Sequence, residues 1–246
     1  MRLENANNYS YFYLRRKPAP FLPEFSMITL HEPALAGLLD RLFAESDAAA
    51  TALGPLMASL PDGEQARLMR SKSDYIDLYG RLKAFALPVS RETGRLLYML
   101  AHGIRARNIV EFGTSFGIST LHLAAALHDN DGGRLITCEF EPSKIARARA
   151  NLTEGDLIGL VEIREGDALQ TLKHDLPETI DLVLLDGAKA LYDDVLDLLE
   201  PRLRPGAFIV ADNADYCPDY LRRVRDGGGY LSVPFAEDVE LSMRLG

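Results

Sequence analysis

The feature that most constrains this chain is an alternation: short apolar runs rich in Val, Ile and Leu, each ending in a polar or glycine-bearing loop and followed by a stretch of helical period. The runs lie at residues 108–112, 135–139, 161–164, 181–185 and 207–211. Strands alternating with helices in this way build right-handed βαβ units, which predicts an α/β fold with a doubly wound, mostly parallel sheet. Open sheets of that kind bind ligands outside the carboxyl ends of their strands. The residues just after each run are therefore the first candidates for a site.

The first run leads into Gly113 and Gly117 and then a helix whose opening turn offers Ser119 and Thr120. Glycine admits a close backbone approach and a helix start presents free N–H groups, so the turn forms a nucleotide-sized notch. A dinucleotide fingerprint needs Gly-x-Gly-x-x-Gly. Ser115 stands where its second glycine belongs, which argues against a pyrophosphate pressed to the turn. The second run ends in Glu139, a carboxylate able to accept both hydrogen bonds of a ribose diol, or else an acid that starts the next helix. After the third run come Gly166, Asp167 and Ala168, a polar loop placed to meet an adenine ring.

Asp186 closes the fourth run, and Asp212 with Asn213 closes the fifth. Three hard oxygen donors at one sheet edge suit Mg²⁺, Ca²⁺ or Mn²⁺ better than zinc. The competing explanation is that acids at strand ends cap the following helix. Lys189 falls three residues after Asp186, so one tight loop aims both side chains at the same point.

The series Glu111-x-Gly113-x-x-x-Gly117-x-Ser119, Glu139-x-x-Pro142, Gly166-Asp167-Ala168, Asp186-x-x-Lys189 and Asp212-Asn213 resembles the cation-dependent class I O-methyltransferases, the group of catechol and caffeoyl-coenzyme A O-methyltransferases. The likeness runs from about Phe85 to Gly246. It implies a Rossmann-like seven-stranded sheet with an antiparallel C-terminal hairpin. It also implies that S-adenosylmethionine is held by Glu111, Gly113, Thr114, Ser115, Gly117, Ser119, Glu139, Phe140, Gly166, Asp167, Ala168 and Asp186, with Val89 and Ser90 at the pocket entry. Asp186, Asp212 and Asn213 would hold the divalent cation, Mg²⁺ foremost, and Lys189 would be the catalytic base. A base beside a cation needs its own pKa depressed by that charge. Chelation favours a small hydroxylated acceptor with two adjacent oxygens.

The chain departs from this pattern after Asn213, where Ala214 to Pro218 leads quickly to Arg222, Arg223 and the last strands. Residues 1–84 match no motif and form an N-terminal arm and helical extension ahead of a methyltransferase domain at residues 85–246. Helices are expected at Pro33 to Leu60, at Glu64 to Phe85, and from Ser90, as cap, to about Gly103. Tyr230 to Pro234 and Val239 to Arg244 read as a terminal hairpin, and Arg204-Pro205-Gly206 as a turn before the fifth strand. Met1 to Phe25 reads as a loose arm, or as a segment whose Tyr9, Tyr11, Phe12 and Tyr13 pack on a partner in a homodimer.

A net charge of −9 speaks against nucleic-acid binding through phosphates. Cys138 and Cys217 are too few for a disulfide scaffold and lack zinc spacing, which fits a reducing cytoplasm. No apolar stretch approaches the roughly 20 residues of a membrane span. Three rival readings are a metal-independent small-molecule methyltransferase, a nicotinamide oxidoreductase on the same sheet, and a non-catalytic cofactor-binding protein.

Overall fold

The computed structural model describes residues 28–61, 63–236 and 238–246. The arm read at Met1 to Phe25, with its four aromatic residues, lies outside them. Seven strands form one sheet: β1 (Asn108–Phe112), β2 (Arg134–Glu139), β3 (Val161–Glu165), β4 (Ile180–Leu185), β5 (Leu203–Ala211), β6 (Tyr230–Pro234) and β7 (Glu240–Arg244). Their order is β3-β2-β1-β4-β5-β7-β6, parallel through β5 and antiparallel at β7 and β6. The doubly wound sheet with its terminal hairpin is the one the alternating runs predict.

Every residue of β4 is buried, because β4 is central and helices cover both faces. Successive side chains of a strand point to opposite faces. Leu182 and Leu184 accordingly pack with Ile109, Leu135 and Val210, whereas Val183 and Leu185 pack with Val110, Ile136 and Ile209. The first face is covered by α1 (Pro33–Ala58), α4 (Arg91–Gly103), α5 (Ile118–Asp129) and α6 (Pro142–Glu154). Below the second lie α8 (Tyr192–Leu199) and α9 (Pro218–Asp226). Leu35, Leu38 and Leu42 of α1 sit at 1–3% exposure in that first core, so the N-terminal helix is part of the main packing.

Ser90 caps α4 as expected, its Oγ accepting from the Thr93 N–H at 3.0 Å. Two expectations need correction. Glu64 to Phe85 is not one helix but two, α2 (Glu64–Met69) and α3 (Tyr75–Arg81). Ser71 Oγ accepts from the Asp74 N–H at 3.0 Å, and Arg67 joins Glu64 to Asp74. Such local side-chain bonds offer the backbone an alternative to helix. Arg204-Pro205-Gly206 is not a turn ahead of the strand but an irregularity within β5, where pairing jumps from Ile180↔Leu203 to Leu182↔Phe208. Gly206 at φ +80 takes up the bend.

Candidate active site

A cavity of about 810 Å³ opens at the carboxyl edge of the sheet, around the point where the chain order reverses between β1 and β4. Gly113 and Ser115 after β1, Glu139 and Phe140 after β2, Gly166 to Ala168 after β3, Asp186 and Lys189 after β4, and Asp212 and Asn213 after β5 all line it. Ser90 stands at its rim. Five strand ends thus converge on one space, as the motif order predicts.

Glu139 is nearly buried, and its carboxylate accepts three backbone N–H groups: Ser115 on Oε2 at 2.9 Å, and Phe140 and Glu141 on Oε1 at 2.9 and 3.0 Å. A carboxylate has about four lone-pair sites, so acceptor capacity remains for a diol. Glu139 does not cap α6; Glu141 does, accepting from the Lys144 N–H at 3.0 Å. Asp167 does cap its short helix α7 (Ala168–Thr171), through Leu169 N at 2.8 Å. Ser115 holds φ +47 and Asn213 φ +50, left-handed conformations that non-glycine residues visit at a cost and that cluster at functional sites.

The acid end is built around Lys189. Its ammonium donates to Asp186 Oδ1 and to the Tyr192 hydroxyl, each at 2.9 Å, and lies 3.8 Å from Asp212 Oδ2. Burial disfavours its charge, but Asp186 with Tyr192, Tyr79 and Asp212 outweighs that cost and holds its pKa well above the ordinary value. This is opposite in direction to what a base at neutral pH requires, given only the charges the chain itself supplies. Burial raises the Asp212 pKa, and the neighbouring Asp186 carboxylate adds to the rise while Lys189 opposes it. Asn213 Nδ2 donates to Asp238 Oδ2 at 3.0 Å, which leaves its amide oxygen as the free acceptor. Neither Asp212 nor Asn213 caps the 3-10 turn that follows at Ala214–Tyr216. Among the described residues no three His, Cys, Asp or Glu side chains gather as a metal cluster. The donor set is instead two aspartates and an amide, hard oxygens whose mutual repulsion a divalent cation would relieve.

The structure does not bring every expected residue to the cavity wall. Glu111 is fully buried, and the hydroxyls of Ser119, Thr120 and Thr137 donate to its carboxylate, each at 2.6 Å. The helix-start hydroxyls therefore turn back onto β1. Burial pushes Glu111 up to about 7 against those three donors. Thr114 and Ser119 border a small adjoining recess, Val89 sits in the core, and Gly117 packs against Ala148. Gly113 has a reason other than ligand approach: at φ +110, a Cβ there would lie 2.5 Å from the Asp186 carbonyl oxygen. Its missing side chain lets the backbone after β1 lie close against the backbone after β4.

Several lining residues carried no motif. Lys144, almost fully buried, donates to Ser115 Oγ at 3.1 Å, and burial lowers its pKa against the pull of Glu139. Leu53 and Met57 of α1, Met69 of α2 and Tyr75 and Tyr79 of α3 close the opposite wall. The i, i+4 spacing of the two tyrosines was the available signal. Tyr75 meets the Phe140 ring edge-on at 6.2 Å, and the Tyr79 hydroxyl donates to the Gly187 carbonyl at 3.3 Å.

A family described as "Methyltransferase domain" matches residues 110–214. The chain is 38% identical to a catechol O-methyltransferase of Niastella koreensis over 131 residues, which cover 52% of this chain and 58% of that one. It is 34% identical to catechol O-methyltransferase B of Danio rerio, over 67% of this chain and 65% of the other. The match thus spans about three fifths of the length of these curated relatives. Among solved structures, the O-methyltransferase TomG of Streptomyces achromogenes, involved in tomaymycin synthesis and crystallised with S-adenosylmethionine, superposes with a TM-score of 0.58 at 25% identity, covering 75% of this chain and 96% of that one.

Proposed function

We propose that this chain is a class I S-adenosylmethionine-dependent O-methyltransferase, as its likeness to that family supports, and a divalent-cation-dependent enzyme that methylates one hydroxyl of a catechol-like or vicinal-diol molecule. The observation that carries this reading is the convergence of Glu139, Asp186, Lys189, Asp212 and Asn213 on one cavity. S-adenosylmethionine would supply the methyl group, and a hard cation beside the acceptor would lower the pKa of its hydroxyl.

Glu139 accepts the ribose hydroxyls from a carboxylate already fixed by three N–H groups. The Gly166 to Ala168 loop borders the adenine. Asp186, Asp212 and the Asn213 amide oxygen would hold the cation. Lys189 lies within reach of both aspartates and would receive the acceptor's proton. Holding the two reactants in one enclosed space supplies a further share of the rate by fixing their approach. Residues 85–246 form the cofactor-binding unit, and the helices before them roof the acceptor side.

A second reading, metal-independent transfer, is favoured by one contact: the Lys189 ammonium already neutralises Asp186. The two separate on acceptor geometry, because chelation needs adjacent oxygens and a lysine does not. Incubating the protein with S-adenosylmethionine, Mg²⁺ and either catechol or phenol, and weighing the products by mass spectrometry, tests this. Methylation of catechol alone supports the cation reading, and equal methylation of both contradicts it.

A further inference from the structure

The methyltransferase reading leaves open which acceptors fit, and the N-terminal helices bear on that. A volume of about 810 Å³ stands near the top of the range for small-molecule sites, roughly 300 to 1,000 Å³, so the cavity has room beyond one cofactor. Its polar groups are concentrated on the sheet side, at the strand ends. The facing helices add Ser46, Asp47 and Gln65 but also an apolar patch: Leu53, Met57 and Met69 line it, half-buried, and pack behind on Leu68, Leu78 and Leu82. Helix α3 holds this wall over both halves of the site, through Tyr75 against Phe140 and Tyr79 against Gly187.

The charges lining the cavity are one-sided. Asp47, Glu141, Asp167 and Asp238 add to Glu139, Asp186 and Asp212, while the lining lysines, Lys144 and Lys189, are both nearly buried and already bonded. None of the described residues lining it is an arginine. Among the described lining residues, a polyanionic handle such as a coenzyme A pyrophosphate would find no exposed cation and would meet carboxylates.

We infer that the acceptor is a catechol-type ring carrying an uncharged apolar substituent, and that Leu53, Met57 and Met69 form the subsite that reads it. The inference rests on the methyltransferase reading and deepens it. Two methionines on that wall give it a flexible, polarisable surface that adapts to substituents of different shape.

The test is equilibrium binding of catechol and its 4-methyl, 4-propyl and 4-hexyl derivatives to the full chain saturated with S-adenosylhomocysteine and Mg²⁺. Affinity should rise about fourfold for each methylene seated, the equivalent of about 0.8 kcal/mol per buried CH₂. In a Met57→Ser, Met69→Ser double variant that gain should shrink to less than about twofold per methylene, with S-adenosylhomocysteine affinity unchanged as the measure of a folded site. The coenzyme A thioester of a catechol acid should bind no tighter than catechol itself. Equal affinity across the series, or a thioester bound ten times more tightly than catechol, would overturn the subsite. Product formation measured in parallel, with S-adenosylmethionine in place of S-adenosylhomocysteine, separates the two claims. Methylated product without the affinity gradient contradicts the subsite alone, whereas a gradient without any product contradicts methyl transfer and leaves the subsite standing.

Discussion

Lys189 Nζ lies 2.9 Å from Asp186 Oδ1 just after β4, with the lysine buried and the aspartate partly so. The two are three residues apart, joined through Gly187 and Ala188 ahead of the 3-10 turn at Lys189–Leu191. The same contact explains why an ammonium tolerates this position and why a cation there would compete with it.

If Lys189 receives the acceptor's proton, Lys189→Met should lower turnover by about 10² to 10⁴. Affinity for S-adenosylmethionine should hold. Lys189→Arg should fare no better, because guanidinium stays protonated. Steady-state rates over several acceptors check this, and the deficit should narrow for more acidic hydroxyls. Full activity in both variants would leave Lys189 as a counter-charge only.

For Glu139, loss of charge-assisted bonds of roughly 1.5 to 3 kcal/mol predicts S-adenosylmethionine binding about ten to a hundred times weaker in Glu139→Gln. Gln keeps the volume and the acceptor oxygen, so a melting temperature near that of the parent separates binding from folding. Unchanged affinity in a calorimetric titration would remove Glu139 from the ribose site.

How much of this was legible beforehand differs from residue to residue. Glu139, Asp186, Asp212 and Asn213 are found because strand ends collect functional side chains and the strands announce themselves by composition. Glu111, expected at the cofactor, lies behind the cavity wall, because one sequence cannot show which way a buried carboxylate turns; its three hydroxyl partners come from β2 and from a helix start. Met57 and Met69 carry no signal as site residues, since their role depends on how separate helices fold over the sheet edge. The break between α2 and α3 depends on Ser71 and Arg67 bonding locally, a balance that periodicity does not register.

Gly113→Ala should destabilise the fold. Backbone strain of about 1 to 3 kcal/mol and overpacking of about 1 to 3 kcal/mol act together, because the new Cβ meets the Asp186 carbonyl oxygen. Urea unfolding should show a loss of roughly 2 to 6 kcal/mol by the same two terms. An unaltered midpoint would show that the backbones after β1 and β4 do not approach as closely as described.

His122 gives a pH dependence. Burial lowers its pKa from 6.5 to about 4, although its Nδ1 bonds the Ile118 carbonyl. The folded state therefore binds fewer protons than the unfolded one between about 4 and 6.5. Its contribution is complete above that window and is lost as pH falls through it, by up to about 3 kcal/mol. Glu111, raised from 4.5 to about 7, acts with the opposite sign, so the informative quantity is the difference between parent and variant. Parent stability minus that of His122→Phe, from denaturant midpoints, should fall steadily from pH 6.5 to 4. A flat difference would mean that His122 titrates normally.

The central claim is that Asp186, Asp212 and Asn213 hold a cation that activates the acceptor while Glu139 holds the cofactor. The most direct measurement is methyl transfer from S-adenosylmethionine to catechol before and after removal of divalent cations by a chelator, in the parent and in Asp212→Ala, with cofactor affinity titrated in each. The account predicts activity abolished by the chelator and restored by Mg²⁺ in the parent, none in Asp212→Ala under either condition, and cofactor affinity nearly equal throughout. Undiminished methylation of catechol by the chelated parent would contradict it.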